Sequence, residues 1–209
     1  RKALTVNTTG DNNTAVGSLA LDANTTGNYN TAVGKDALGA NTTSGVNTAV
    51  GASALATNTT GSRLTAVGYK ALTANTTGTN NVALGCEFSG LNGTLGSNTT
   101  GGSNVAMGDD ALGANTTASN NTAVGNLALR SNTTGDTNTS VGSSSMASNT
   151  TGSFNSALGY NALGANTEGG SNVAIGWAAL DANTTASNNT AVGKSALTAN
   201  TTGTENVSV

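Results

Sequence analysis

The segment Asn13-Thr14-Ala15-Val16-Gly17-Ser18-Leu19-Ala20-Leu21-Asp22-Ala23-Asn24-Thr25-Thr26-Gly27-Asn28-Tyr29 starts again at Asn30, again at Asn47, and so on to the end of the chain. As a template it reads N-[TV]-A-V-G-x-x-A-L-x-A-N-T-T-G-x-x, a 17-residue period. A unit this short cannot enclose a core of its own, so successive copies must stack and share one. Residues 1–209 are therefore expected to form a single repeat domain, not a conventional globular fold.

Composition alone would suggest the opposite of order. Only 3% of residues are aromatic and 8% charged, and chains poor in large apolar groups commonly fail to fold. The scarce apolar residues are not scattered, however. The Val16 column continues through Val33, Val50, Val67, Leu84 and Met107 to Val209 and is aliphatic throughout. The Leu21 column, from Leu4 to Leu197, is Leu or Met throughout. Column Ala15 holds only Ala or Ser, which places something close against it. These valine and leucine columns are the expected core, each stacked on its counterpart in the next rung.

Gly17 recurs without exception from Gly34 to Gly193, as expected where φ is positive or the backbone is too crowded for a Cβ. The Gly27 column admits Ala118 and Ala186 and is less demanding. Two glycines per unit, with β-branched Thr and Val, argue against helix. Alternation in N-T-A-V fits a strand with Thr14 and Val16 on one face and Ala15 on the other. The expected fold is all-β: a β-solenoid of about twelve coils, each with two short strands, T-A-V-G and A-L-x-A-N-T-T. At about 4.8 Å per coil it makes a rod of roughly 55–60 Å.

Two asparagine columns carry the polar half of the design. One runs from Asn13 to Asn206, broken only by Leu64; the other, unbroken, includes Asn24, Asn41, Asn58, Asn75, Asn115 and Asn132. Stacked identical amides can bond rung to rung and tie down turn backbone. Both columns are expected as internal ladders, one at each of two bends. Between Gly85 and Gly108 the spacing lengthens by six residues. The extra residues fall in the loop Cys86 to Gly93, while the columns resume at Leu95 and Asn98.

The N-[TV]-A-[VIL]-G-x-x-A element, clearest at Asn172-Val173-Ala174-Ile175-Gly176 and Asn81-Val82-Ala83-Leu84-Gly85, resembles the YadA-like head repeat of trimeric autotransporter adhesins. The present period is longer than that repeat, and similar longer repeats occur in phage and surface fibre proteins. The resemblance implies a left-handed β-roll, a parallel homotrimer, an extracellular or virion-surface location and adhesion. The termini suggest a second mode of self-association. Arg1-Lys2-Ala3-Leu4 fits the x-x-A-L part of the template and Asn206-Val207-Ser208-Val209 the N-V-A-V part. A second copy placed beyond Val209 would continue the coil as an end-to-end filament; a segment of a longer array would read the same way.

Chemistry is sparse. With no His and a single Cys, Cys86, neither a Ser-His nor a Cys-His pair exists, and no catalytic, cofactor or metal site is expected. Asp109 and Asp110 are adjacent but read as solvated turn acids. The net charge of -3 carries no basic stripe, so nucleic acid is not an expected partner; no apolar run is long enough to insert into a membrane. The variable x-x turn after Gly17 supplies Tyr69, Phe88, Tyr160 and Trp177, a candidate edge for a host-surface protein or glycan. Asn92-Gly93-Thr94 is the favoured N-glycosylation acceptor. The expected function is a structural, self-assembling extracellular fibre module with adhesion through its turns. The alternatives are a phage or viral tail-fibre shaft and, ranked lower, an ice-binding solenoid. The last is disfavoured because Thr25-Thr26 sends adjacent hydroxyls to opposite faces.

Overall fold

The computed structural model describes residues 2–87, 90 and 92–209. Each repeat contributes one strand at its T-A-V element: β1 (Thr14–Val16), β2 (Thr31–Val33), β3 (Thr48–Val50), β4 (Thr65–Val67), β5 (Val82–Leu84), β6 (Val105–Met107), β7 (Thr122–Val124), β8 (Thr139–Val141), β9 (Ser156–Leu158), β10 (Val173–Ile175), β11 (Thr190–Val192) and β12 (Val207–Ser208). They form one 12-stranded sheet in chain order. Every pairing is parallel and sets column on column, as in Thr14↔Thr31, Ala15↔Ala32 and Val16↔Val33. The insertion does not disturb this, since Val82, Ala83 and Leu84 pair with Val105, Ala106 and Met107. The chain is a β-solenoid.

The expected second strand is not there: among the described residues A-L-x-A-N-T-T is a succession of turns. Leu19 and Leu21 have φ of 62° and 49°, in the left-handed region that costs a branched side chain roughly 1 kcal/mol or more. Positive φ recurs at Leu38, Leu55, Leu72 and onward to Leu197. What holds so strained a backbone is rung-to-rung bonding. The amide of Leu21 donates to the Ala37 carbonyl at 3.0 Å, and that of Thr25 to the Thr42 carbonyl at 2.8 Å. The segment has the ladder bonding of a strand without its extended geometry, and its curl closes the coil in so few residues.

The core also differs from the expected one. From Leu21 to Leu180 the leucine column is fully buried, but the valine column faces outward. Inside the sheet lie Ala32, Ala49, Ala66 and their equivalents, packed on the Ala20 and Leu21 columns. The reason is the thinness of the coil. Where Ser140 replaces alanine, its Oγ reaches the Ser145 carbonyl of the opposite wall at 2.8 Å. A gap that a serine hydroxyl can bridge has no room for valine, so the alternation resolves with Ala in and Thr/Val out. The invariant glycine has the same origin. Gly17 sits at φ 131°, and a Cβ there would lie 2.5 Å from the Gly34 carbonyl oxygen.

Candidate functional site

The two asparagine columns meet at one bend, not two. Asn24 donates through Nδ2 to Asn7 Oδ1 at 3.0 Å and to the Gly27 carbonyl at 3.1 Å. Asn13 sends its Nδ2 to that same Gly27 carbonyl at 2.7 Å, and its Oδ1 accepts from the Asn30 amide at 2.9 Å. The pattern repeats up the rod: Asn121 and Asn132 both donate to the Gly135 carbonyl, each at 2.9 Å. Side chain to side chain, the unbroken column runs Asn41 to Asn24, Asn58 to Asn41, Asn75 to Asn58, Asn115 to Asn98 and Asn132 to Asn115 at 2.8–3.2 Å. All of these asparagines from Asn24 on are solvent-inaccessible, so the ladder is internal structure, not a contact surface. Each asparagine of the broken column up to Asn189 also joins its side-chain Oδ1 to the backbone amide of the next rung, which is why Leu64 is tolerated: its own N–H still donates to Asn47 Oδ1 at 3.0 Å. A third ladder lies beside them. Thr25 Oγ1 donates to the Thr42 carbonyl at 3.1 Å, while Thr26 is exposed.

Two outer features remain as places where another molecule could bind. The first is the sheet face built by the Thr14 and Val16 columns. Its aliphatic column is open to solvent, with Val16 57%, Leu158 50% and Ile175 39% exposed. No charged residue falls in either column from β1 to β12. The result is an uncharged stripe of methyls and hydroxyls running across all twelve strands.

The second is the turn after Gly17. Tyr69, Tyr160 and Trp177 are all about half exposed there. Tyr160 and Trp177, on successive rungs, stack with centroids 6.4 Å apart and planes inclined by 13°. Lys194, one rung further, sets its Nζ 5.3 Å from the Trp177 ring centroid, within cation–π range. Tyr69 stands apart, about 24 Å down the rod at the spacing of parallel strands. Its neighbour Lys70 lies over its ring at 5.2 Å and pairs with Glu87 Oε2 at 2.8 Å; the hydrogen bond that Lys70 donates to Glu87 leads the causes that raise the lysine pKa. Phe88 lies outside the described residues. Asn92 is exposed.

The turn before the Asn13 column was not singled out from sequence, yet it too displays apolar groups. Tyr29, Val46 and Phe154 are exposed there, at φ 58–64°. The available signal was a large apolar residue at a variable position directly preceding the Asn13 column. Asp110 also departs from the sequence reading, being buried and not solvated. Its Oδ2 lies 3.8 Å from Arg130 Nε, and among the described residues its Oδ1 has no hydrogen-bond partner. Burial pushes its carboxyl above the ordinary value, against the pull of Arg130. Among the described residues no three His, Cys, Asp or Glu side chains converge on one point, and no helix is long and apolar enough to cross a membrane.

In comparison with known proteins, the chain matches no family model, no curated protein and no solved structure.

Proposed function

We propose that this chain is a structural rod module whose protomers associate side by side through the Thr14/Val16 face, in an extracellular or virion-surface fibre. The observation that carries this is the open aliphatic column. The largest apolar patch on a typical water-soluble monomer is about 300–600 Å² and often marks a contact site. Twelve strands at about 4.8 Å, with a face about 10 Å wide, present roughly 550 Å² per protomer. Two such faces bury about 1,100 Å² in total, near the lower end of specific interfaces. The repeat's resemblance to adhesin heads and fibre shafts supports the same reading. The aromatic turns then serve as the variable, outward-facing edge, with Tyr160 and Trp177 as the adhesive contact for a protein or glycan.

Sedimentation equilibrium of the purified chain tests the association. The expected result is a mass of two or three protomers, collapsing to one protomer in a Val50→Lys, Val67→Lys, Ile175→Lys variant with an unchanged circular dichroism spectrum. A wild-type chain that remains monomeric at high concentration refutes it.

Ice binding moves from the Thr25-Thr26 pair to this face. Thr25 spends its hydroxyl inside the ladder, whereas Thr14 and Val16 project together in a T-x-V array. Bare monomers with measurable thermal hysteresis would favour that reading, because a face covered by a second copy cannot also order water.

A further inference from the structure

N-x-T acceptor motifs recur along the whole chain, and the fold sorts them into two kinds. In the N-T-T motifs the asparagine is the ladder residue. From Asn24 to Asn183 these amides have no solvent exposure, and each Nδ2 uses both of its N–H bonds: Asn115 bonds Asn98 Oδ1 at 2.8 Å and the Ala118 carbonyl at 3.1 Å. Asn138, in Asn138-Thr139-Ser140, is equally buried and donates to the Gly152 carbonyl at 2.9 Å. Asn12, Asn92, Asn120 and Asn188 instead stand on exposed turns, with a threonine two residues on. Three of these four, Asn12, Asn120 and Asn188, open N-N-T motifs whose threonine is the first residue of a strand.

Transfer of an oligosaccharide from a polyprenyl diphosphate donor replaces one Nδ2 hydrogen with a bond to the sugar anomeric carbon; the proton and the polyprenyl diphosphate leave. A ladder asparagine so modified keeps one N–H where the coil requires two, and carries a glycan where no solvent reaches. Rungs about 4.8 Å apart leave no space for it either. Transfer in a eukaryotic secretory pathway acts on the chain as it emerges, before coils close. We infer that N-glycosylation of the N-T-T motifs and formation of this solenoid exclude one another. The chain reaches its fold only along a route on which those asparagines escape oligosaccharyl transfer, and Asn12, Asn92, Asn120 and Asn188 are the acceptors that a folded rod can bear.

The chemistry that makes the motif an acceptor is separable from the chemistry that builds the coil. The third-position threonines, such as Thr26, Thr60, Thr117 and Thr151, are exposed, and Glu168 already replaces one of them. Replacing that column by alanine, from Thr9 to Thr202, with Ser140→Ala and, for the Asn206-Val207-Ser208 motif, Ser208→Ala, removes the ladder acceptors and spares every ladder asparagine. The test expresses wild type and this variant through a eukaryotic secretory pathway, each with and without an inhibitor of lipid-linked oligosaccharide synthesis, and both also in bacterial cytosol. Glycopeptide mass spectrometry and protease resistance are the readouts. The expected wild-type product is modified at ladder asparagines and nearly devoid of protease-resistant rod; the inhibitor restores the rod. The variant is expected to yield rod carrying glycans at the exposed acceptors alone. If the alanine variant fails in bacteria, the inhibitor arm of the wild type decides. Wild-type rod recovered with glycans on Asn24-type residues overturns the inference, as does a wild-type chain that forms rod in bacterial cytosol but not when the inhibitor leaves those asparagines bare.

Discussion

Replacing Asn115 by alanine tests the ladder where it is most regular. Asn115 Nδ2 donates to Asn98 Oδ1 and to the Ala118 carbonyl, and Asn115 Oδ1 accepts from Asn132 Nδ2 at 3.2 Å. Alanine deletes all three bonds in a solvent-free site. The partners do not suffer equally. The Ala118 carbonyl keeps the Asn104 amide at 2.8 Å and Asn132 keeps the Gly135 carbonyl at 2.9 Å, whereas Asn98 Oδ1 loses its rung partner. At about 1 kcal/mol per bond plus about 1–2 kcal/mol for the stranded acceptor, the loss is roughly 4–5 kcal/mol. Because each rung touches only its neighbours, the damage should stay local at first. Hydrogen exchange ought therefore to show lost protection at the Thr99, Thr116 and Thr133 amides, with rungs near Asn30 and Asn189 unchanged. Denaturant unfolding supplies the magnitude, and Thr117→Ala, an exposed neighbour, serves as control within about 0.5 kcal/mol of wild type. An Asn115→Ala protein less than about 1 kcal/mol destabilised would refute the reasoning, since a single net hydrogen bond would account for it.

Gly142→Ala places a Cβ at φ 136°, 2.4 Å from the Gly159 carbonyl oxygen, and is expected to lower the melting temperature by several degrees, with loss of β signal in circular dichroism. Leu112→Ala, in the fully buried column, should cost about 3–4 kcal/mol by denaturant titration, against less than about 1 kcal/mol for Val67→Thr on the open face. The folded-state pKa of Asp110 lies above its ordinary 3.8, so the folded chain holds that proton more tightly than the unfolded one. Stability is therefore lost as pH rises through this window. Asp110→Asn should raise the melting temperature at neutral pH, with the advantage shrinking toward pH values below 3.8. Trp177→Ala should abolish any glycan or protein adhesion of the rod, read by surface plasmon resonance, without changing its melting temperature by more than a few degrees.

Much of the architecture was legible in the residues. The period predicted the coil; the unbroken Leu21 column predicted its buried wall; and the six extra residues between Gly85 and Gly108 could be placed in a turn because Leu95 and Asn98 resumed their columns. The aromatic edge was legible as positions on a repeating turn, but not the stacking of Tyr160 on Trp177 or the distance to Tyr69, which depend on how many rungs separate them. Asp110 was misread because burial of a turn acid depends on what comes to lie against it, here Asn92 and Arg130.

The sequence by itself determined that the chain stacks in register, since only a one-coil repeat keeps two aliphatic and two amide columns aligned through twelve coils, and a slip by one residue would bury Thr and expose Ala. It did not determine which side of the T-A-V strand is inside. Alternation specifies two faces but not their destinations, and hydrophobicity alone assigns valine to the interior. Only the closed coil decides otherwise, because its walls approach so nearly that alanine fits and valine does not. The same closure brings both asparagine columns to one bend, a convergence that depends on backbone curl at Leu19 and Leu21. Positive φ at leucine has no local signature, because it is imposed by the rungs above and below.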